Sequence, residues 1–183
     1  MDIAQECKHG LNKAESLLVA ANIIFLDVDG VLNGHNFDPE AQSNTINRSC
    51  VRQLNRIIKA TDCSFVISSA WRYMIHGGEM TLRGFEYLLR THGVAGAKII
   101  GVTAKDRFIG ESRGVQIREW LDTRIPCGLD ARSLPRGCKY LAIDDEDWGI
   151  TEAKITLVQT AGNLGLRRCD ADQVIRFFAG NVS

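Results

Sequence analysis

Ile23-Ile24-Phe25-Leu26-Asp27-Val28-Asp29-Gly30-Val31-Leu32-Asn33 is an apolar run that stops at two carboxylates one residue apart. An apolar run of this length, bounded by a turn signal, reads as a strand buried on both faces, the kind found in parallel sheets. Open α/β sheets bind ligands in the crevice beyond their strand ends, so chemistry is expected just past Leu26. Alternation along an extended chain sends Asp27 and Asp29 the same way, and Gly30 permits a sharp turn behind them. Two carboxylates facing one pocket repel unless a cation or a shared proton relieves them, which suggests a Mg²⁺ site or an acid/base couple. The plainer reading is a strand entering an Asp-Gly turn. A calcium loop of the EF-hand type is excluded, because Val31 stands where that loop needs an oxygen ligand.

The 183 residues suffice for one domain with a two-sided core. With 22 basic and 22 acidic side chains, the chain has no global field to draw polyanions or membranes, so nucleic acid has to be met by a local patch. Cys7, Cys50, Cys63, Cys127, Cys138 and Cys169 form no C-x-x-C pair and no zinc spacing, and read as small apolar residues of a reducing compartment. The longest apolar stretch, Leu17 to Leu26, contains Asn22 and is too short to span a membrane. Acidic Asp2 and Glu6 sit where a signal peptide is basic. A cytoplasmic location is expected.

Residues 1–21 read as a helical extension packed on a body formed by residues 22–183. Gly34 to Ile46 is polar and Asn-rich and reads as a flap. Helices are predicted over 47–60, 82–91 and 112–122, with a last one started by a capping box of Asp170 and Gln173. Strands are predicted over 64–67, 98–102, 139–143 and 155–158. Strands alternating with helices imply a parallel sheet covered on both faces, joined by right-handed crossovers. The second strand leads into Ser68-Ser69-Ala70-Trp71-Arg72, which offers hydroxyls, backbone N–H groups and a guanidinium for a phosphate. A helix cap at Ser69 with a surface arginine is the competing reading. The fourth strand leads into Asp144-Asp145-Glu146-Asp147, a cluster costly beside Asp27 and Asp29 without a cation. Arg113 opens a helix, where its charge opposes the dipole and has no local benefit.

Asp-x-Asp-Gly-Val after a strand, then strand-Ser, a basic residue opening a helix, and strand-Asp-Asp, in that order over residues 22 to about 160, resembles the haloacid dehalogenase-like (HAD) superfamily of phosphohydrolases. The wording around Asp27–Asn33, Ser68–Arg72 and Leu141–Asp145 is similar to the small HAD domains of bacteria and phages associated with RNA repair, the Swiss Army Knife type. The resemblance implies a Rossmann-like three-layer sandwich with a five-stranded parallel sheet and minimal or no cap. It also implies a Mg²⁺-dependent phosphatase. Asp27 would attack phosphorus to give an aspartyl-phosphate, and Asp29 would protonate the leaving oxygen and then activate water. The Asp27 carboxylate, the Asp29 carbonyl and Asp145 would hold Mg²⁺, with Asp144 or Asp147 assisting. Ser68 would bind the phosphoryl oxygens, and Arg113, where the family usually has lysine, would complement developing charge, with Lys105 the other candidate. Asp29 argues against a dehalogenase.

Arg48, Arg52 and Arg56 recur every four residues beside Lys59, nearly opposite the apolar face of their helix. Such a stripe can track a phosphate backbone, although a solvated polar face is its commoner meaning. His35 and His76 read as loop residues and receive no role. From Gly30 to Ile67 there are 38 residues, and 40 lie between Arg72 and Arg113, so neither insertion point can hold a cap domain of roughly 50 residues. An open site is therefore expected; the resemblance adds that members with no cap tend to act on bulky phosphorylated substrates, and the stripe favours a nucleic-acid end. The alternatives are a small-metabolite or nucleotide phosphatase, a phosphotransferase, and a phosphate-binding module without turnover.

Overall fold

A computed structural model describes residues 22–34, 46–106, 110–124 and 138–180. The expected extension over 1–21 and most of the flap lie outside them, with His35, Cys7 and Cys127. Strands β1 (Asn22–Leu26), β2 (Ser64–Ile67), β3 (Lys98–Val102), β4 (Lys139–Asp144) and β5 (Leu157–Gln159) form one sheet in the order β3-β2-β1-β4-β5. Every neighbouring pair is parallel. The described helices are α1 (Arg48–Thr61), α2 (Arg72–Gly77), α3 (Leu82–Thr91), α4 (Arg113–Arg124) and α5 (Arg168–Ala179).

Alternation along β1 divides the core. Ile24 and Leu26 join Leu54 and Ile57 of α1, Phe85 and Leu89 of α3, and Val174 and Phe178 of α5 on one face of the sheet. Ile23 and Phe25 join Ile117, Trp120 and Leu121 of α4 on the other, where Phe25 meets Trp120 edge to face at 5.5 Å. Both faces of the sheet are thus covered, which is why β1, β2 and β4 read as continuous apolar runs. Edge strand β3 alternates instead, and Gly101 leaves room for the indole of Trp120, 2.8 Å from where a Cβ would stand. Cys50, Cys63 and Cys169 are free thiols. Among the described residues no helix is long and apolar enough to cross a membrane.

Several expectations are corrected. A short helix, α2, follows β2, as the competing reading of Ser69 implied, but it begins at Arg72 after Trp71, carries His76, and has no side-chain cap. Helix α5 starts before Asp170, whose carboxylate accepts from the Arg167 N–H at 2.9 Å, so Asp170 sits in the first turn and Gln173 plays no part in the cap. The last strand starts at Leu157, and Ile155 packs in the α4-side core.

Candidate active site

The register of the three central strands assembles the site. Leu26 lies level with Ile67 of β2 and Ile143 of β4, so Asp27, Ser68 and Asp144 emerge side by side at the carboxyl edge. Backbone bonds continue the ladder one step further: Asp27 N–H to Ile143 O at 3.0 Å, Ser68 N–H to Leu26 O at 2.9 Å and Thr160 N–H to Asp144 O at 2.9 Å. The chain then leaves the extended conformation. The Val28 carbonyl accepts from the N–H groups of Val31, Leu32 and Asn33, so strand periodicity does not carry through to Asp29. The Asp29 carboxylate is held instead by Asn33 Nδ2 at 2.7 Å and the Trp71 indole N–H at 3.0 Å.

Asp27, Asp144 and Asp145 each offer a carboxylate oxygen within 4.8 Å of one another. Asp145 comes this close because residue 30 has no side chain. A Cβ on Gly30, whose φ is +75°, would lie 2.4 Å from Asp145 Cγ. Thr160 fixes that turn by donating to the Gly30 carbonyl at 2.8 Å. Three hard oxygen donors suit Mg²⁺, so the donor set fits the ion that the resemblance implies. The Asp29 side chain stands outside this group. Asp147 is used elsewhere, accepting from the Thr151 N–H at 2.8 Å and from the Thr151 hydroxyl, which closes the turn beyond β4.

Arg113, the first residue of α4, reaches between the acids, 3.0 Å from Asp27 and paired also with Asp144. That double pairing explains a cation placed against the helix dipole. Burial works against its charge, but Asp27 and Asp144 outweigh it and keep the guanidinium ionised. Burial pushes Asp27 above the ordinary carboxylate range, opposed by Arg113, the Ser69 hydroxyl and the Val28 N–H. Burial, with Asp27 next to it, pushes Asp144 up to about 7 against the pull of Arg113. Lys105 is exposed.

Of the serines, Ser69 is committed within the protein, accepting from the Trp71 N–H at 3.3 Å. Ser68 Oγ is buried and has no hydrogen-bond partner among the described residues. Arg72 is not a surface arginine: it is 5 % exposed, and donates to the Ser69 carbonyl at 3.0 Å and to Asp106 at 2.6 Å. Tyr73 and Gln116 also bond Asp106. Asp106, Asn33 and Trp71 were not singled out from the sequence. Asn33 had a local signal, four residues after Asp29 inside a turn, whereas Asp106 and Trp71 act through contacts 34 and 42 residues away.

In the basic stripe, Arg48, Arg52 and Lys59 are exposed. Arg56 is not free, because it pairs with Asp172 of α5 at 2.7 Å and bonds Gln53. The N-terminal end of α1 lies at the site, tied by Asn47 N–H to the Leu32 carbonyl at 2.7 Å. Arg48 is thus near the carboxyl edge of the sheet, and Lys59 lies at the far end.

The family described as the HAD domain in Swiss Army Knife RNA repair proteins matches residues 23–171. The chain belongs to this family. The all-parallel sheet with helices on both faces is its HAD-like Rossmannoid core. Membership gives the broad class, a phosphatase-type hydrolase, and the matched span includes every residue of the site above. No curated protein and no solved structure matched the chain.

Proposed function

We propose that this HAD domain is a Mg²⁺-dependent phosphatase that hydrolyses a phosphate monoester, with the end of a polynucleotide as substrate. The observation that carries the reading is the convergence of Asp27 with Asp144, Asp145 and Arg113 beside the unpartnered, buried Ser68 hydroxyl. A buried hydroxyl with no partner is costly, and a phosphoryl oxygen would satisfy it.

An oxygen of Asp27 attacks phosphorus in line, the bond to the leaving oxygen breaks, and Asp29 gives that oxygen a proton. Asp29 then takes a proton from water as the water oxygen attacks the same phosphorus, which frees Asp27 and releases inorganic phosphate. The Ser69 hydroxyl lowers the proton affinity of Asp27, which favours the ionised nucleophile, and Trp71 with Asn33 hold the Asp29 carboxylate in place. Arg113 contributes positive charge where the transferring group gathers negative charge; its contacts with Asp27 and Asp144, beside an exposed Lys105, support it over Lys105 for that role. Asp27, Asp144 and Asp145 would hold Mg²⁺, which supplies neutralisation of phosphate charge so that an anionic nucleophile can approach.

The polynucleotide end is supported by the family's RNA-repair description and by exposed Arg48 and Arg52 on the helix that starts at the site. The counted lengths between motifs, too short for a cap domain, agree with a bulky substrate. Incubation of phosphate-ended oligonucleotides with Mg²⁺ should release inorganic phosphate. Excess chelator and Asp27→Asn should each lower the rate by at least about a thousandfold, as loss of a covalent nucleophile does. An unchanged rate in chelator removes the metal assignment, and substantial turnover by Asp27→Asn removes the nucleophile.

A further inference from the structure

Beside the acids lies a cleft of about 370 Å³, within the range that takes small ligands. Arg113 forms part of its wall, so the cleft opens directly from the group that pairs with Asp27. Tyr73, 42 % exposed, and Trp148, 56 % exposed, both line it, and neither packs in either core cluster.

The Tyr73 ring and the Trp148 backbone are held in place by the surrounding structure. The Tyr73 hydroxyl bonds Asp106 at 2.5 Å, and the Arg72 guanidinium lies 4.6 Å from its ring centroid. Trp148 has φ +41°, uncommon for a bulky residue. Its carbonyl accepts from the Gly114 N–H at 3.2 Å, and a Cβ on residue 114 would lie 2.0 Å from the Gly149 carbonyl oxygen. The turn is therefore seated backbone to backbone on the start of α4. An unfavourable backbone geometry that carries a solvated indole to the edge of a cleft has no packing benefit, and such outliers gather at functional sites. The wall also keeps unused hydrogen-bonding capacity: Arg72 Nε, a donor, and Gln116 Oε1, an acceptor, are buried without partners among the described residues.

We propose that the cleft between Tyr73 and Trp148 is a subsite for the nucleobase of the nucleotide whose phosphate meets Asp27, held by stacking on these rings. The proposal rests on the reading of the substrate as a nucleic-acid end. A base offers a π face to the rim and an edge with both donors and acceptors to the wall. A phosphotyrosine ring has no polar atom besides its phosphate ester oxygen, and would leave the polar wall unused.

Two oligonucleotides, one phosphorylated on an ordinary terminal nucleotide and one on a terminal sugar lacking its base, give the test. Wild-type protein should prefer the first about tenfold in kcat/KM, the scale of one base stacked on an aromatic ring. Trp148→Ala should bring that ratio close to one and Trp148→Phe should recover most of it, which a purely structural role would not do. A ratio near one in the wild type, or one that Trp148→Ala leaves intact, overturns the subsite. Binding read through indole fluorescence separates this from the parent reading. A nucleoside monophosphate should quench Asp27→Asn protein but not the Asp27→Asn, Trp148→Phe double variant. Quenching without hydrolysis by the wild type keeps the subsite and removes the phosphatase. Hydrolysis with neither quenching nor base preference does the reverse, and stronger quenching by phosphotyrosine than by the nucleotide overturns the nucleobase assignment.

Discussion

One guanidinium stands between Asp27 and Asp144, and a third carboxylate, Asp145, lies within 4.8 Å of both. Burial is the largest cause of the high proton affinity of Asp144, pushed up to about 7; the charge of Asp27 beside it adds to the effect and Arg113 opposes it. The sign follows from linkage. The folded protein keeps a proton on Asp144 that the unfolded chain releases near its ordinary value of 3.8, so the group's contribution to stability is full below that value. It is lost as pH rises through about 7. In chelator, denaturant unfolding should therefore show lower stability at pH 8 than at pH 5, and Asp144→Asn should flatten that dependence. Equal pH dependence in the two proteins would assign the effect to other groups. Asp27, also raised, leaves a residual slope of the same sign.

At the level of elements, the contact between α4 and the turn after β4 is the tightest in the site's scaffold. Gly114→Ala places a methyl group 2.0 Å from the Gly149 carbonyl oxygen and 2.9 Å from Ala153 Cβ. Helix propensity alone would favour alanine by roughly 0.8–1 kcal/mol. Overpacking costs typically about 1–3 kcal/mol and more where backbone meets backbone, so the net change should be destabilising. Thermal unfolding of Gly114→Ala should show a lower Tm than the wild type, and a raised Tm would mean the turn moves aside without cost. This contact also marks where the sequence stopped being readable. The central strands were legible because burial on both faces makes them continuously apolar, and the acids at their ends follow from register. Helix α2 was not, since six residues carry no periodicity and its first residue, Arg72, resembles a surface arginine until Asp106 is seen beside it. The cap of α5 was misplaced because Asp170 is a plausible cap residue, and only its bond to the Arg167 N–H shows it one turn inside. Strand alternation could not place the Asp29 side chain, because the Val28 carbonyl gathers three N–H groups and the extended backbone ends before it.

For the molecule as a whole, the balance of 22 basic and 22 acidic side chains means that attraction to a polyanion has to be local. The helix stripe looked like three arginines and a lysine in sequence, yet Arg56 is bound to Asp172 across 116 residues of chain and holds α1 to α5. Removing it would disturb packing between the two helices and confuse a binding measurement. Arg48 and Arg52 remain exposed toward the end of α1 that meets the site, and they are the pair to change. Replacing both by alanine should raise KM for a phosphate-ended oligonucleotide. It should also make the log–log salt dependence of kcat/KM shallower by roughly 0.7 per arginine that contacts a phosphate of a single strand. A mononucleotide phosphate reaches only the acids and the cleft, so its KM should respond far less to salt. If the mononucleotide and the matching oligonucleotide have equal kcat/KM at low salt, the strand beyond the terminal nucleotide adds nothing. The site would then belong to a phosphatase of small metabolites or nucleotides, with the stripe no more than a solvated helix face.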